Sequence, residues 1–179
     1  MTVIETERLA LRELGADDAA FILGLLNEPS FLRYIGDKGV RTLDDARRYI
    51  ADGPADSYRR NGFGLYRVEL KETGVPIGIC GLVKRDSLPD PDIGFAFLES
   101  HWSKGYALES ASAVMAHGRE TLGLARILAI TDPANTRSVR LLEKIGLRFE
   151  RLARLRRDAT VLRVYSSDGS DRTRAGPRT

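Results

Sequence analysis

The chain of 179 residues is 42% hydrophobic and 30% charged with a formal net charge of +3, the balance of one globular domain. No apolar run approaches the roughly 18 residues of a membrane span, and the opening MTVIETERLALRE has acids where a secretory signal has a basic segment, so a cytoplasmic chain is expected. Cys80 is the only cysteine, which excludes an internal disulfide, and with His101 and His117 the only histidines no metal is expected.

In chain order, RLALR (residues 8 to 12) alternates charged and apolar side chains as a half-buried strand does. ADDAAFILGLLNE follows with Phe21, Ile22, Leu25 and Leu26 at helical spacing, its acids in the first turn where the helix dipole favours them. At TLDDARRYI, Thr42 and Asp45 have the spacing of a capping box, and Gly53 and Pro54 are expected to break or kink the helix. FGLYRVEL and VPIGICGLV flank the turn KETG, where Gly74 can supply a positive φ, and so form an antiparallel hairpin. DIGFAFL is a further strand, and from about Gly105 to Leu122 a helix places Leu108, Ala111, Met115 and Leu122 on one face. RILAIT is a short buried strand, NTRSVRLLEKIG a helix closed by Gly146, and LRFERLARL with TVLRVYS a last strand pair.

These elements predict an α/β domain over residues 1 to 166, with a mixed, largely antiparallel central sheet flanked by helices. Residues 167 to 179, rich in Ser, Gly, Asp and Arg, are expected to be a disordered tail. Residues 147 to 179 hold nine Arg against four acids, which leaves about −2 for the first 146. That basic end reads as a solvated surface. It lacks aromatics interleaved with its arginines, so no base-stacking platform is evident and nucleic acid is not an expected partner.

The chemically suggestive stretch is HWSKGYALES. Ser103, Lys104, Gly105, Tyr106 and Ala107 lie between a strand and a helix start, where unpaired N–H groups and the helix dipole can hold a phosphate. A Cβ at position 105 would strain the turn or collide with a ligand. The G-x-x-x-x-G-K-[ST] spacing of a P-loop is absent. Cys80, inside an apolar strand, reads as a core residue.

Three segments in order, TERLALR, IGFAFLESHWSKGYALES and NTRSVRLLEKIGLRFE, resemble the GNAT superfamily of acyl-CoA-dependent N-acetyltransferases, in particular the branch of the ribosomal-protein N-terminal acetyltransferases. The resemblance spans about residues 6 to 165. The superfamily's Q/R-x-x-G-x-G/A pattern falls on residues 102 to 107, with Trp102 in place of Gln or Arg. It implies a GNAT-like sheet, acetyl-CoA as co-substrate, and binding of its pyrophosphate by Ser103, Lys104, Gly105, Tyr106 and Ala107. The backbone of Phe95 and Phe97 would pair with the pantetheine arm. Asn135 would contact that arm or cap its own helix.

The implied reaction is direct attack of a neutral primary amine on a thioester in a ternary complex, with a backbone N–H holding the oxyanion and a donor protonating the thiolate. The Tyr that often supplies this proton is Leu142 here, so Ser138 becomes the candidate acid unless it only packs its helix. Asp92 is the candidate base, with a bound water or simple solvation of that carboxylate as the alternatives. His101 beside the loop could approach the co-substrate. The expected partner is an amine acceptor, a protein N-terminus or a small molecule, bound by the first two helices and the loops at residues 27 to 42 and 85 to 91. No membrane is expected, and a homodimer is left open. A non-catalytic acyl-CoA-binding sensor or interaction module is the competing reading, on the strength of Leu142.

Overall fold

The computed structural model describes residues 1–155 and 160–168. Eight strands form one sheet: β1 (Thr2–Glu5), β2 (Leu9–Glu13), β3 (Leu65–Leu70), β4 (Pro76–Val83), β5 (Asp92–Phe97), β6 (Leu128–Thr131), β7 (Arg148–Ala153) and β8 (Leu162–Ser166). Their spatial order is β1-β2-β3-β4-β5-β6-β8-β7, and every neighbouring pair is antiparallel except β5 and β6. The sheet is therefore mixed and largely antiparallel, as the sequence pattern predicts.

Two parallel neighbours need a crossover, and α5 (Tyr106–Glu120) supplies it. Its Ala111, Val114 and Met115 pack on one face of the sheet against Leu9, Leu11, Cys80, Ile93 and Phe97. A Cβ at Gly118 would lie 2.8 Å from Ile127 Cδ1, so the missing side chain lets α5 settle onto the sheet. On the opposite face, α1 (Ala19–Leu26) and α3 (Leu43–Ile50) bury Ile22, Leu25, Leu26, Ala46 and Ile50 over Ile79. Three further helices, α2 (Pro29–Tyr34), α4 (Asp56–Asn61) and α6 (Thr136–Lys144), complete the α-helices among the described residues.

Several local signals act as their chemistry predicts. Thr42 Oγ1 accepts the Asp45 N–H at 3.0 Å and Asp45 Oδ2 accepts the Thr42 N–H at 3.1 Å, closing the capping box of α3. Gly74 takes φ 71° in the hairpin turn and Gly146 takes φ 92° after α6. Gly53 and Pro54 do not end the helix. The chain widens into a π-helical turn over Ala51–Ala55 and runs on into α4. Pro54 has no N–H to give to the ladder, and the wider turn accommodates it. At the other end, Ser167 N–H donates to Ile127 O and its hydroxyl accepts Ile127 N–H, so pairing with the sheet reaches past residue 166. The rest of the expected tail, residues 169 to 179, lies outside the described residues.

Asp18 does not serve the helix dipole in water; it is 2% exposed and sits inside an ion cluster. Its Oδ1 accepts from Arg12 at 2.9 Å and Arg67 at 2.6 Å, and its Oδ2 accepts the Gly15 N–H at 2.9 Å. Both guanidiniums also reach Glu69 Oε2. Burial pushes the Asp18 carboxyl up, but the Gly15 N–H and the two arginines outweigh it and hold it below the usual carboxylate range. The cluster ties β2 and β3 to the entry of α1. Asp18→Ala strips two partly buried cations of a shared partner, and urea unfolding should show a loss of about 3 kcal/mol. A change near zero would mean that Glu69 alone satisfies both arginines.

Candidate active site

β5 and β6 pair only at Asp92 and Leu128, reinforced by Leu128 N–H to Pro91 O at 2.9 Å. Beyond that point the strands part. The opening leads into a cleft of about 520 Å³ between the start of α5, the start of α6 and α2.

The β5 edge facing this cleft carries free backbone groups. Leu98 N–H bonds Ile77 O and Ala96 stands opposite Ile79, so alternation in the antiparallel ladder turns the N–H and C=O of Phe95 and Phe97 away from β4. Phe97 O is taken by the Trp102 indole N–H at 2.9 Å, which fastens the following loop to the end of the strand. The Phe97 ring is buried in the α5 core and the Phe95 ring is half-buried against it.

In the loop, Ser103 (φ 61°) and Gly105 (φ 81°) both adopt the left-handed region. Such strain at a non-glycine residue is held by its surroundings, and here Arg137 of α6 reaches the Ser103 hydroxyl at 3.3 Å while lying 4.5 Å over the Trp102 ring. The first N–H groups of α5 have no intrahelical acceptor, and no side chain caps them. A Cβ on Gly105 would meet Arg8 Nη2 at 3.2 Å, so the backbone φ and Arg8 are what demand glycine there. Ser103, Gly105, Tyr106 and Ala107 line the cleft; Lys104 does not.

Asn135 and Ser138 line the cleft from α6. Asn135 is the N-cap, its Oδ1 accepting the Ser138 N–H at 3.2 Å, so capping and a place in the cleft coexist. The Ser138 hydroxyl is half-buried and has no hydrogen-bond partner among the described residues. Leu142, one turn further along the same helix, is buried in the core. Beside it on α6, Arg140 and Lys144 present cations to the cleft.

Asp92 stands apart from these groups. It is 1% exposed, does not line the cleft, and has the strand parity of Ala96, which packs towards α1 and α3. Three residues of strand put it about 10 Å from Phe95. Its Oδ1 accepts from Arg85 Nε at 2.9 Å, whereas Oδ2 is buried without a partner among the described residues. Burial pushes its carboxyl up to about 6 against the pull of Arg85. His101 lines the cleft, its Nδ1 3.0 Å from Ser100 Oγ, and His117 is half-buried in α5, where burial lowers its pKa. Cys80 is fully buried and its thiol is pushed up to about 12, the state of an inert core residue.

Of the two loop stretches expected near the acceptor, 27 to 42 forms one wall of the cleft through Ser30, Phe31, Tyr34 and Ile35, whereas residues 85 to 91 do not reach it. One pairing went unread in the sequence. Arg8 and Glu109 bind each other behind the phosphate-type loop, Nε to Oε2 at 2.7 Å. The sequence showed Arg8 only as the polar end of an alternating strand.

The family model described as "Acetyltransferase (GNAT) domain" matches residues 8–148. The chain belongs to the GNAT acetyltransferase family. Among relatives of this acetyltransferase, the uncharacterized N-acetyltransferase YoaA of Bacillus subtilis (strain 168) is 31% identical over 154 residues, 85% of this chain and 86% of the relative. The crystal structure of an acetyltransferase from Agrobacterium tumefaciens str. C58 is 29% identical, with a TM-score of 0.78 over 93% of both chains. RimL, a ribosomal alpha-N-protein acetyltransferase in complex with coenzyme A, shares the fold with a TM-score of 0.79 at 16% identity, covering 93% of this chain and 97% of its own. The GNAT domain is thus an acyltransferase with a GNAT sheet, and the described helices contain none long and apolar enough to cross a membrane.

The state of Asp92 is testable through stability. Because burial raises its pKa from 3.8 to about 6, the folded protein keeps a proton that the unfolded chain releases between those values. Its contribution to stability is complete below the window and is lost as pH rises through it. Urea midpoints of the native protein should therefore fall relative to those of Asp92→Asn between about pH 4 and about pH 6. A constant difference across the window would show an ordinary aspartate.

Proposed function

We propose that the protein transfers an acetyl group from acetyl-CoA to a primary amine, a protein N-terminus or a small-molecule amine, by direct attack in a ternary complex. The observation that carries this reading is the parting of β5 and β6 beside the uncapped start of α5. The residues present fit the co-substrate: N–H groups from residues 105 to 107 suit a diphosphate, and Arg137, Arg140 and Lys144 add positive charge along one wall. The N–H and C=O of Phe95 and the N–H of Phe97, turned away from β4, suit an amide-containing arm. When bound, acetyl-CoA supplies a thioester carbon open to attack and a thiolate leaving group.

The chain's own groups then have separate tasks. A backbone N–H on the free edge of β5 holds the oxyanion, and the unpartnered Ser138 hydroxyl passes a proton to the thiolate while taking one from bound water, which receives the proton that the attacking nitrogen loses. The acceptor enters along α2, between Phe31 and Tyr34. Its ammonium loses a proton through bound water, since Asp92 is buried off the cleft. The ribosomal acetyltransferase activity in RimL's name makes protein N-termini the first acceptors to try.

Two variants test this reading. Gly105→Glu places a carboxylate at the phosphate end, and calorimetry should show acetyl-CoA affinity falling by about a hundredfold or more while circular dichroism stays native. Unchanged affinity in the folded variant would move the site elsewhere. Ser138→Ala should keep acetyl-CoA affinity and lower kcat by about 10² to 10⁴ once an acceptor is found. Normal turnover would remove Ser138 from the chemistry. Tight acetyl-CoA binding with no acceptor in a screen of N-terminal peptides, polyamines, aminoglycosides and amino acids would favour the binding module.

A further inference from the structure

Arg8, immediately before β2, is held in place from several directions. Glu109 Oε1 accepts from Thr6 Oγ1 at 2.6 Å and from the Arg8 N–H at 2.9 Å, while Oε2 takes Arg8 Nε at 2.7 Å. The guanidinium lies 4.5 Å over the Tyr106 ring, and its Nη1 donates to Lys104 O at 3.0 Å. Burial pushes the Glu109 carboxyl up, yet the Thr6 and Arg8 donors outweigh it, so it is an anion across the neutral range.

The consequence lies in the peptide between Lys104 and Gly105. No peptide bond among the described residues is cis, and in a trans peptide the C=O and N–H point in opposite directions. An oxygen held on Arg8 therefore turns the Gly105 N–H away from Arg8. Gly105 lines the cleft and Arg8 does not. Glycine populates positive and negative φ almost equally, so the residue type at position 105 does not by itself fix which way this peptide faces. The bond from Arg8 to Lys104 O reaches it from outside the loop.

We propose that Arg8 is a positioning residue that locks the Lys104–Gly105 peptide so that the Gly105 N–H faces the diphosphate of acetyl-CoA. This rests on the reading of the cleft given above. Arg8 acts through a hydrogen bond to the backbone. Its own charge is largely matched by Glu109, and it need not touch the ligand.

The experiment uses the full chain and two probes, acetyl-CoA and S-acetylpantetheine, which has the thioester arm but no diphosphate. Arg8→Gln should weaken acetyl-CoA binding by about tenfold to a hundredfold and leave S-acetylpantetheine binding unchanged. Arg8→Lys should not restore affinity, because one ammonium cannot bridge Glu109 and Lys104 O with the geometry of a planar fork. Equal loss for both probes, an unaffected Arg8→Gln, or full rescue by lysine would each overturn the lock. Should the variants fail to fold, the native protein still decides the matter. Titrated with inorganic pyrophosphate, its Gly105 amide resonance should move downfield, and a stationary Gly105 signal while other loop amides shift would overturn the proposal. A native protein that binds S-acetylpantetheine and acetyl-CoA equally, or neither, refutes the cleft reading itself and takes the lock with it.

Discussion

The structure depends on one pair of strands that touch and then part. β5 is held on its outer side by β4, and β6 on its outer side by β8, so their inner edges can separate without unravelling the sheet. Free backbone groups inside a sheet are normally a liability at an edge; here they face a cleft walled by helices. Because β5 and β6 run parallel, their carboxyl ends lie together, and each is followed by a helix. The amino ends of α5 and α6 therefore converge where the strands diverge. Open sheets collect ligands at such places for the same reason.

The two faces of β5 divide the remaining work. Odd positions, Ile93, Phe95 and Phe97, send side chains under α5, and the even position Ala96 sends its side chain under α1 and α3. Cys80 shares the α5 side and is sealed there as a packing group. Asp92 is the costly residue of this arrangement, a carboxylate at the narrow end of the split with one oxygen on Arg85 and the other unsatisfied. It stands at the register contact between the parallel strands, opposite Leu128.

The strands and the long helix were legible because their apolar periods are regular and their turns carry glycine at the right places, Gly74 and Gly146 among them. That residues 103 to 107 lead into a helix was legible from Gly105 ahead of an apolar period, whereas the reading of the loop as a phosphate site came from the family resemblance. What escaped was short or distant. β1 has four residues and α2 six, too few for a period to rise above noise. Pro54 carries a strong breaker signal, yet a π-turn absorbs it. Asp18 looked like first-turn decoration because one of its two arginine partners, Arg67, lies 49 residues away, and Arg8 finds Glu109 across 101. Pairings of that kind are made by the topology and leave no local trace.

Trp102 is the only tryptophan in the chain, and it stands at the hinge between the β5 end, through Phe97 O, and α6, through Arg137. All indole emission from this protein therefore originates at one address. A guanidinium over the ring and a carbonyl on its nitrogen make the excited state responsive to any shift of loop or helix. The molecule carries its own optical gauge of the cleft, readable in solution without a label.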